Sequence, residues 1–167
     1  MSVLIQNARI LTPFTQQDGA VLITGDRITD VSRNLTPPKG TKVVDAQGMY
    51  LVPGYIDLHV HGGGGHHVME GTPEAVRAMC NAHAREGTTT LLPTTTTAPI
   101  DDIKRAIDAV RMAGDDACDA TIAGAHLQGP FLSPVHMKDS QHAHLSDLKT
   151  TDWQALLAHW SGIRMVG

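Results

Sequence analysis

Along the first fifty residues the apolar positions come in short runs separated by turn-forming residues. Val3 to Leu11 reads as a strand. Gln17-Asp18-Gly19 is expected to turn into Ala20-Val21-Leu22-Ile23, and Gly25-Asp26-Arg27 into Ile28-Thr29-Asp30-Val31, a β-meander pattern. Pro37-Pro38-Lys39-Gly40 interrupts the run, Thr41 to Asp45 forms a further strand, and Gly48 and Pro53-Gly54 punctuate its end. A domain junction is expected near Leu51 to Pro53, dividing the chain into residues 1–52 and 53–167.

Beyond that junction the periodicity alternates. Tyr55 to His61 is a strand, followed by a helix with Thr72 as its cap and Pro73 in its first position, stopping at Gly87. Thr88 to Leu92 is a strand. Ile103, Ala106, Ile107 and Val110 recur at i, i+3, i+4 and i+7, marking a helix that Gly114 ends. Thr121 to Gln128 is a third strand, Asp152 to Trp160 a third helix, and Ile163 to Val166 a fourth strand. This βαβα order predicts an α/β fold with a parallel sheet covered by helices. A complete (β/α)8 barrel takes about 200 residues or more, so these strands are expected to be part of a larger barrel; the alternative, a small α/β sandwich ending on an edge strand, would leave an incomplete sheet beside exposed apolar helix faces.

In Tyr55-Ile56-Asp57-Leu58-His59-Val60-His61 side chains alternate between faces. Ile56, Leu58 and Val60 are expected to pack under helices, while Asp57, His59 and His61 share the opposite face. Two histidines at i and i+2 stand about 6.5 to 7 Å apart along a strand, close enough for both imidazoles to reach one cation. The run Gly62-Gly63-Gly64-Gly65 follows at once and is expected to be a flexible loop clearing space beside the site. His66 and His67 are expected to be solvated loop histidines, and Thr94 to Thr97 β-branched residues at a strand end.

Composition narrows the partners. A net charge of -4 lacks the basic excess that a phosphate backbone requires, so nucleic acid is not expected. No run of about 18 apolar residues predicts a membrane span, and the N-terminus lacks a secretory pattern. Cys80 and Cys118 form no C-x-x-C and are expected to be reduced thiols in a cytoplasmic protein, without a redox role. All ten histidines fall between His59 and His159.

Read together, VVDAQG from Val43 and VPGYIDLHVH from Val52 resemble the amidohydrolase superfamily. HVHGGGGHHVMEGTP from His59, EGTTTLLPTTTT from Glu86 and HLQGPFLSP from His126 narrow the resemblance to the N-acetylglucosamine-6-phosphate deacetylase family. The resemblance implies an amidohydrolase-type (β/α)8 TIM barrel with a small β-sandwich domain, of which this chain carries the sandwich strands and the first three to four barrel strands.

It also implies a hydrolase acting on a linear amide, converting N-acetylglucosamine-6-phosphate to glucosamine-6-phosphate and acetate in amino-sugar catabolism. N-acetylgalactosamine-6-phosphate is the alternative substrate. The implied cofactor is a divalent metal ion, zinc or iron, and the full-length protein is implied to be a cytoplasmic homo-oligomer.

Three metal positions carry over: His59, His61 and Gln128, the last standing where the family's H-L-E-G-P has a metal-binding glutamate. Glutamine offers a carbonyl oxygen without the negative charge, so weaker metal binding is expected. Gln141, near Lys138, is the expected substrate contact. The catalytic aspartate and further metal histidines are expected beyond residue 167, so the 167-residue chain alone is expected to be inactive, or a metal-binding remnant.

Overall fold

The computed structural model describes residues 1–115, 118–133, 135 and 152–167. The chain divides into two compact units, Met1–Pro53 and Gly54–Gly167.

The first unit is a five-stranded sheet. Strands β1 (Ser2–Leu11), β2 (Gln16–Thr24) and β3 (Arg27–Ser32) run antiparallel in the order β3-β2-β1. Strands β4 (Lys42–Asp45) and β5 (Tyr50–Leu51) then both lie parallel to β1. Gln17-Asp18-Gly19 is not the expected turn but lies inside β2, paired with Ala8 to Ile10. The turn comes earlier, where the Thr12 hydroxyl accepts the Phe14 and Thr15 amides at 3.2 and 3.0 Å. Gly19 answers a different need: a Cβ there would come within 2.7 Å of the Ser32 carbonyl on β3.

The second unit begins with β6 (Tyr55–Val60), followed by a hairpin of β7 (Gly62–Gly63) and β8 (His66–His67) and a 3-10 turn at Val68–Glu70. Helix α1 (Pro73–Arg85), β9 (Thr88–Pro93), helix α2 (Ile100–Asp115), β10 (Thr121–Ile122), β11 (Ala125–Leu127), helix α3 (Trp153–Ala158) and β12 (Ile163–Val166) complete it. Strand β9 pairs in parallel with β6 and β10, and β11 with β12. The expected strand from Thr121 to Gln128 is broken at Gly124, whose φ of 142° interrupts the ladder. A parallel bridge from Thr94 to His126 joins β11 to the end of β9. The parallel strands therefore neighbour one another in chain order, as successive βα units require.

Helix α1 starts as its sequence dictates, with the Thr72 hydroxyl accepting the Ala75 amide at 3.3 Å and Pro73 in the first turn. Helix α2 buries Ile103, Ala106, Ile107 and Val110, the spacing that defined it. One core joins Val60 and Leu91 to Val76, Met79 and Cys80 of α1 and Val110 of α2; a second joins Ile103 and Ile107 to Leu127 and Leu156. The expected apolar face of β6 is only partly covered. Val60 is buried, whereas Ile56 and Leu58 on the same face are 67% and 52% exposed, because no helix among the described residues lies over that end of the strand.

The four-glycine run is an ordered hairpin rather than an open loop. Gly64 and Gly65, with φ of 61° and 85°, form its tip, the positive-φ pair a tight hairpin turn demands. A Cβ on Gly62 would collide with the His66 carbonyl.

Candidate metal centre

Polar side chains gather at the C-terminal ends of β6, β9 and β11. The Nε2 atoms of His59 and His61 are 3.1 Å apart, with their ring planes at 82°. Two nitrogens bound to one tetrahedral zinc at its usual bond length would stand about 3.3 Å apart. His61 Nδ1 lies 3.0 Å from the Thr94 carbonyl. A carbonyl only accepts, so Nδ1 carries the proton and Nε2 keeps its lone pair.

His126 repeats this arrangement from β11. Its Nδ1 donates to the Leu58 carbonyl at 3.1 Å, while its buried Nε2 has no hydrogen-bond partner. The His126 ring stands edge-on to His59 with centroids 4.8 Å apart. Orienting Nδ1 against a carbonyl is what fixes a histidine for ligation through Nε2.

Burial pushes the His61 pKa below the usual histidine value; the Thr94 carbonyl opposes this, His59 and His67 lower it further, and a hydrogen bond accepted by the Gln128 side chain raises it. Burial likewise lowers the His126 pKa, followed by the charge of His59. Both imidazoles are thus biased toward the neutral form, the one that can donate to a cation.

Thr94 organises the cluster. Its hydroxyl accepts the Val60 amide and donates to the Leu92 carbonyl, both at 2.9 Å, and lies 3.4 Å from His126 Nδ1. Thr95 holds the Gln128 main chain, accepting its amide at 3.2 Å and donating to its carbonyl at 3.5 Å. Both threonines are fully buried. They therefore serve as fastenings between strands, a role that β-branching at a strand end does not announce. His67 stacks on His61 with centroids 5.9 Å apart and caps the 3-10 turn, accepting the Met69 amide at 3.1 Å.

Of the residues singled out in the sequence, His59, His61 and Gln128 are brought together; Gln141 lies outside the described residues. His126 joins the cluster without having been given a role, and Thr94, expected only to be a β-branched residue at a strand end, joins it as well. The available signal was alternation: His126 shares a strand face with Gln128. Among the described residues no group of three or more His, Cys, Asp or Glu side chains is arranged to hold a metal ion. The donor chemistry nevertheless fits a divalent cation: neutral imidazoles with bare Nε2 atoms, one of them buried and unpartnered, beside an amide oxygen.

Parallel strands joined by helices, with imidazoles gathered at their C-terminal ends, define an α/β protein whose polar site lies at the strand ends. Residues 50–158 match the model of the amidohydrolase family, and the chain belongs to it. Members of that family are generally dependent on a divalent metal.

The chain is 39% identical over 120 residues to the N-acetylgalactosamine-6-phosphate deacetylase of Shewanella sp. (strain ANA-3), covering 70% of this chain and 29% of that protein. It is 33% identical over 139 residues to the N-acetylglucosamine-6-phosphate deacetylase of Bacillus subtilis (strain 168), covering 80% and 35%. The crystal structure of N-acetylglucosamine-6-phosphate deacetylase from Pasteurella multocida superposes with a TM-score of 0.85 at 24% identity, over 99% of this chain and 44% of that one, a likeness of fold. The chain spans about a third of the length of the curated relatives it matches.

Proposed function

We propose that the chain is part of a metal-dependent amidohydrolase that removes the acetyl group from N-acetylglucosamine-6-phosphate, yielding glucosamine-6-phosphate and acetate. The reading is carried by one observation: residues 50–158, which match the amidohydrolase family, include the strand ends where His59, His61 and Gln128 meet, in a chain similar to curated amino-sugar-phosphate deacetylases. A second reading, N-acetylgalactosamine-6-phosphate as substrate, draws support from the 39% identity to a protein of that name.

In this reading His59, His61 and Gln128 hold the metal, zinc or iron, within an eight-stranded (β/α)8 barrel that the chain begins, beside a small β-sandwich domain. A bound divalent ion would lower the pKa of water and polarise the acetamide carbonyl. The chain's own residues do the positioning. Thr94 fixes the tautomer of His61 through its carbonyl, and the Leu58 carbonyl does the same for His126. Gln128 presents a neutral oxygen in place of a carboxylate, which weakens its hold on a dication. Gln141 contacts the sugar phosphate, and the full-length protein, which carries the general-base aspartate, works as a cytoplasmic homo-oligomer.

Zinc binding to the chain, followed by competition with a chromophoric chelator, tests the ligand set. Gln128→Glu is expected to tighten binding by tenfold or more, about 1.4 kcal/mol, and unchanged affinity would remove Gln128 from the set. Acetate release by the full-length protein from the two sugar-phosphate epimers separates the substrates, and turnover of neither would overturn the proposed reaction.

A further inference from the structure

Cys80 and Cys118 are 38 positions apart in sequence (118 − 80), but the fold brings them together. Cys80 is fully buried on the sheet-facing side of α1, and Cys118, half-buried after α2, packs against the same core. The Cys118 Sγ is 3.5 Å from the Ala113 carbonyl, and the residues that follow the two cysteines are joined: the Asp119 amide donates to Asn81 Oδ1 at 3.1 Å. Ala120, next in the chain, is buried in that core as well. The loop after α2 is therefore fastened to α1 beside the two sulfurs.

We propose that Cys80 and Cys118 are an oxidation site, at which a hydroperoxide converts the two thiols into a disulfide clasping α1 to the segment after α2. Cys118, the more accessible sulfur, attacks the peroxide O–O bond as its thiolate; that bond breaks, Cys118 becomes a sulfenic acid, and the released hydroxide takes up the thiol proton as water. Cys80 Sγ then attacks the sulfenic sulfur. The S–S bond forms as the S–O bond breaks, and the Cys80 proton leaves with the hydroxide as a second water. Two thiols lose two electrons, and one hydrogen peroxide becomes two waters.

The division of labour agrees with the environments. Burial pushes the Cys80 thiol up to about 12, and the neighbouring Cys118 adds to the effect. Cys80 is thus held as a shielded, protonated thiol that does not meet a solvent-borne oxidant first; its part as the resolving thiol rests on its place beside Cys118, and its proton must pass to the departing hydroxide as it attacks. The site lies on the helical side of the sheet, among Val76, Met79 and Val110, and shares no residue with the histidine cluster.

The test exposes the chain to hydrogen peroxide, quenches with catalase, alkylates under denaturing conditions and maps the peptides by mass spectrometry. The expected result is loss of both thiols from each chain, a mass lower by two hydrogens, and one linked peptide pair, Cys80 with Cys118. In Cys118→Ser, Cys80 is expected to stay alkylatable after the same exposure. In Cys80→Ala, Cys118 is expected to be trapped by dimedone as its sulfenic acid.

Two intact thiols after peroxide, Cys118 over-oxidised beside an intact Cys80, or links formed only between chains would overturn the proposal. The mapping of the unsubstituted chain decides the matter even if Cys80→Ala does not fold.

Discussion

The two units bury their sheets to very different degrees. In Met1–Pro53 the buried cluster is four residues, Ala8, Ile10, Val21 and Ala46, two of them alanines. Val43 and Val44 are adjacent in β4 and point to opposite faces, yet they are 48% and 40% exposed, so that strand is well covered on neither side. In Gly54–Gly167 two clusters of larger side chains lie between strands and helices, with Met79, Leu91, Ile103, Ile107, Leu127 and Leu156 almost wholly removed from water. The difference shows what a helix adds to a sheet: a second apolar layer, without which β-branched residues such as Val43 and Val44 stay largely in solvent. Within the second unit β6 repeats the contrast over a few residues, with Val60 buried under α1 and Ile56 left open.

Substitutions that remove buried atoms should separate the units most strongly. Ile107→Ala, at a position with no exposed surface, is expected to lower the stability of the second unit by about 2–5 kcal/mol in urea denaturation, and a smaller loss would show that α2 can collapse over the gap. Thr94→Val keeps the shape but leaves the Val60 amide and the Leu92 carbonyl without this hydroxyl. A loss of about 1–3 kcal/mol is expected, together with a changed His126 imidazole signal by NMR. An unmoved His126 signal would mean that Leu58 alone orients that ring.

Thr72→Ala removes the cap of α1 and should cost about 0.5–2 kcal/mol, readable as earlier loss of helical circular dichroism on heating. Val44→Ser in the first unit should stay within about 0.5 kcal/mol of the parent in the same urea measurement. A large effect there would show that β4 is covered in solution and would dissolve the contrast.

How much of this was legible in the sequence depends on how local each cause is. The α1 cap is written in Thr72-Pro73, and α2 in the spacing of Ile103 and Ile107, because both are settled within a few residues. The start of β2 was misread because Gln17-Asp18-Gly19 has turn chemistry; Gly19 is present for the close passage of Ser32, which only strand pairing reveals. The His59/His61 pair was visible from strand alternation and Gln128 from its neighbours. His126 was readable by the same alternation with Gln128, but its fastening to the Leu58 carbonyl, 68 residues away, was not. The proximity of Cys80 and Cys118 was hidden in the same way.

The reach of His126 back to Leu58 also sets an order of events during synthesis. His59 and His61 leave the ribosome 65 to 67 residues ahead of His126 (126 − 61 and 126 − 59), which at about 5–20 residues per second is a delay of roughly 3 to 13 seconds. For about the first half of that interval β6 has neither the Thr94 hydroxyl nor the His126 ring to hold it, and for the second half it lacks the His126 ring. The imidazoles of β6 therefore emerge well before their neighbours, and the arrival of β11 with His126 is the latch that completes the cluster.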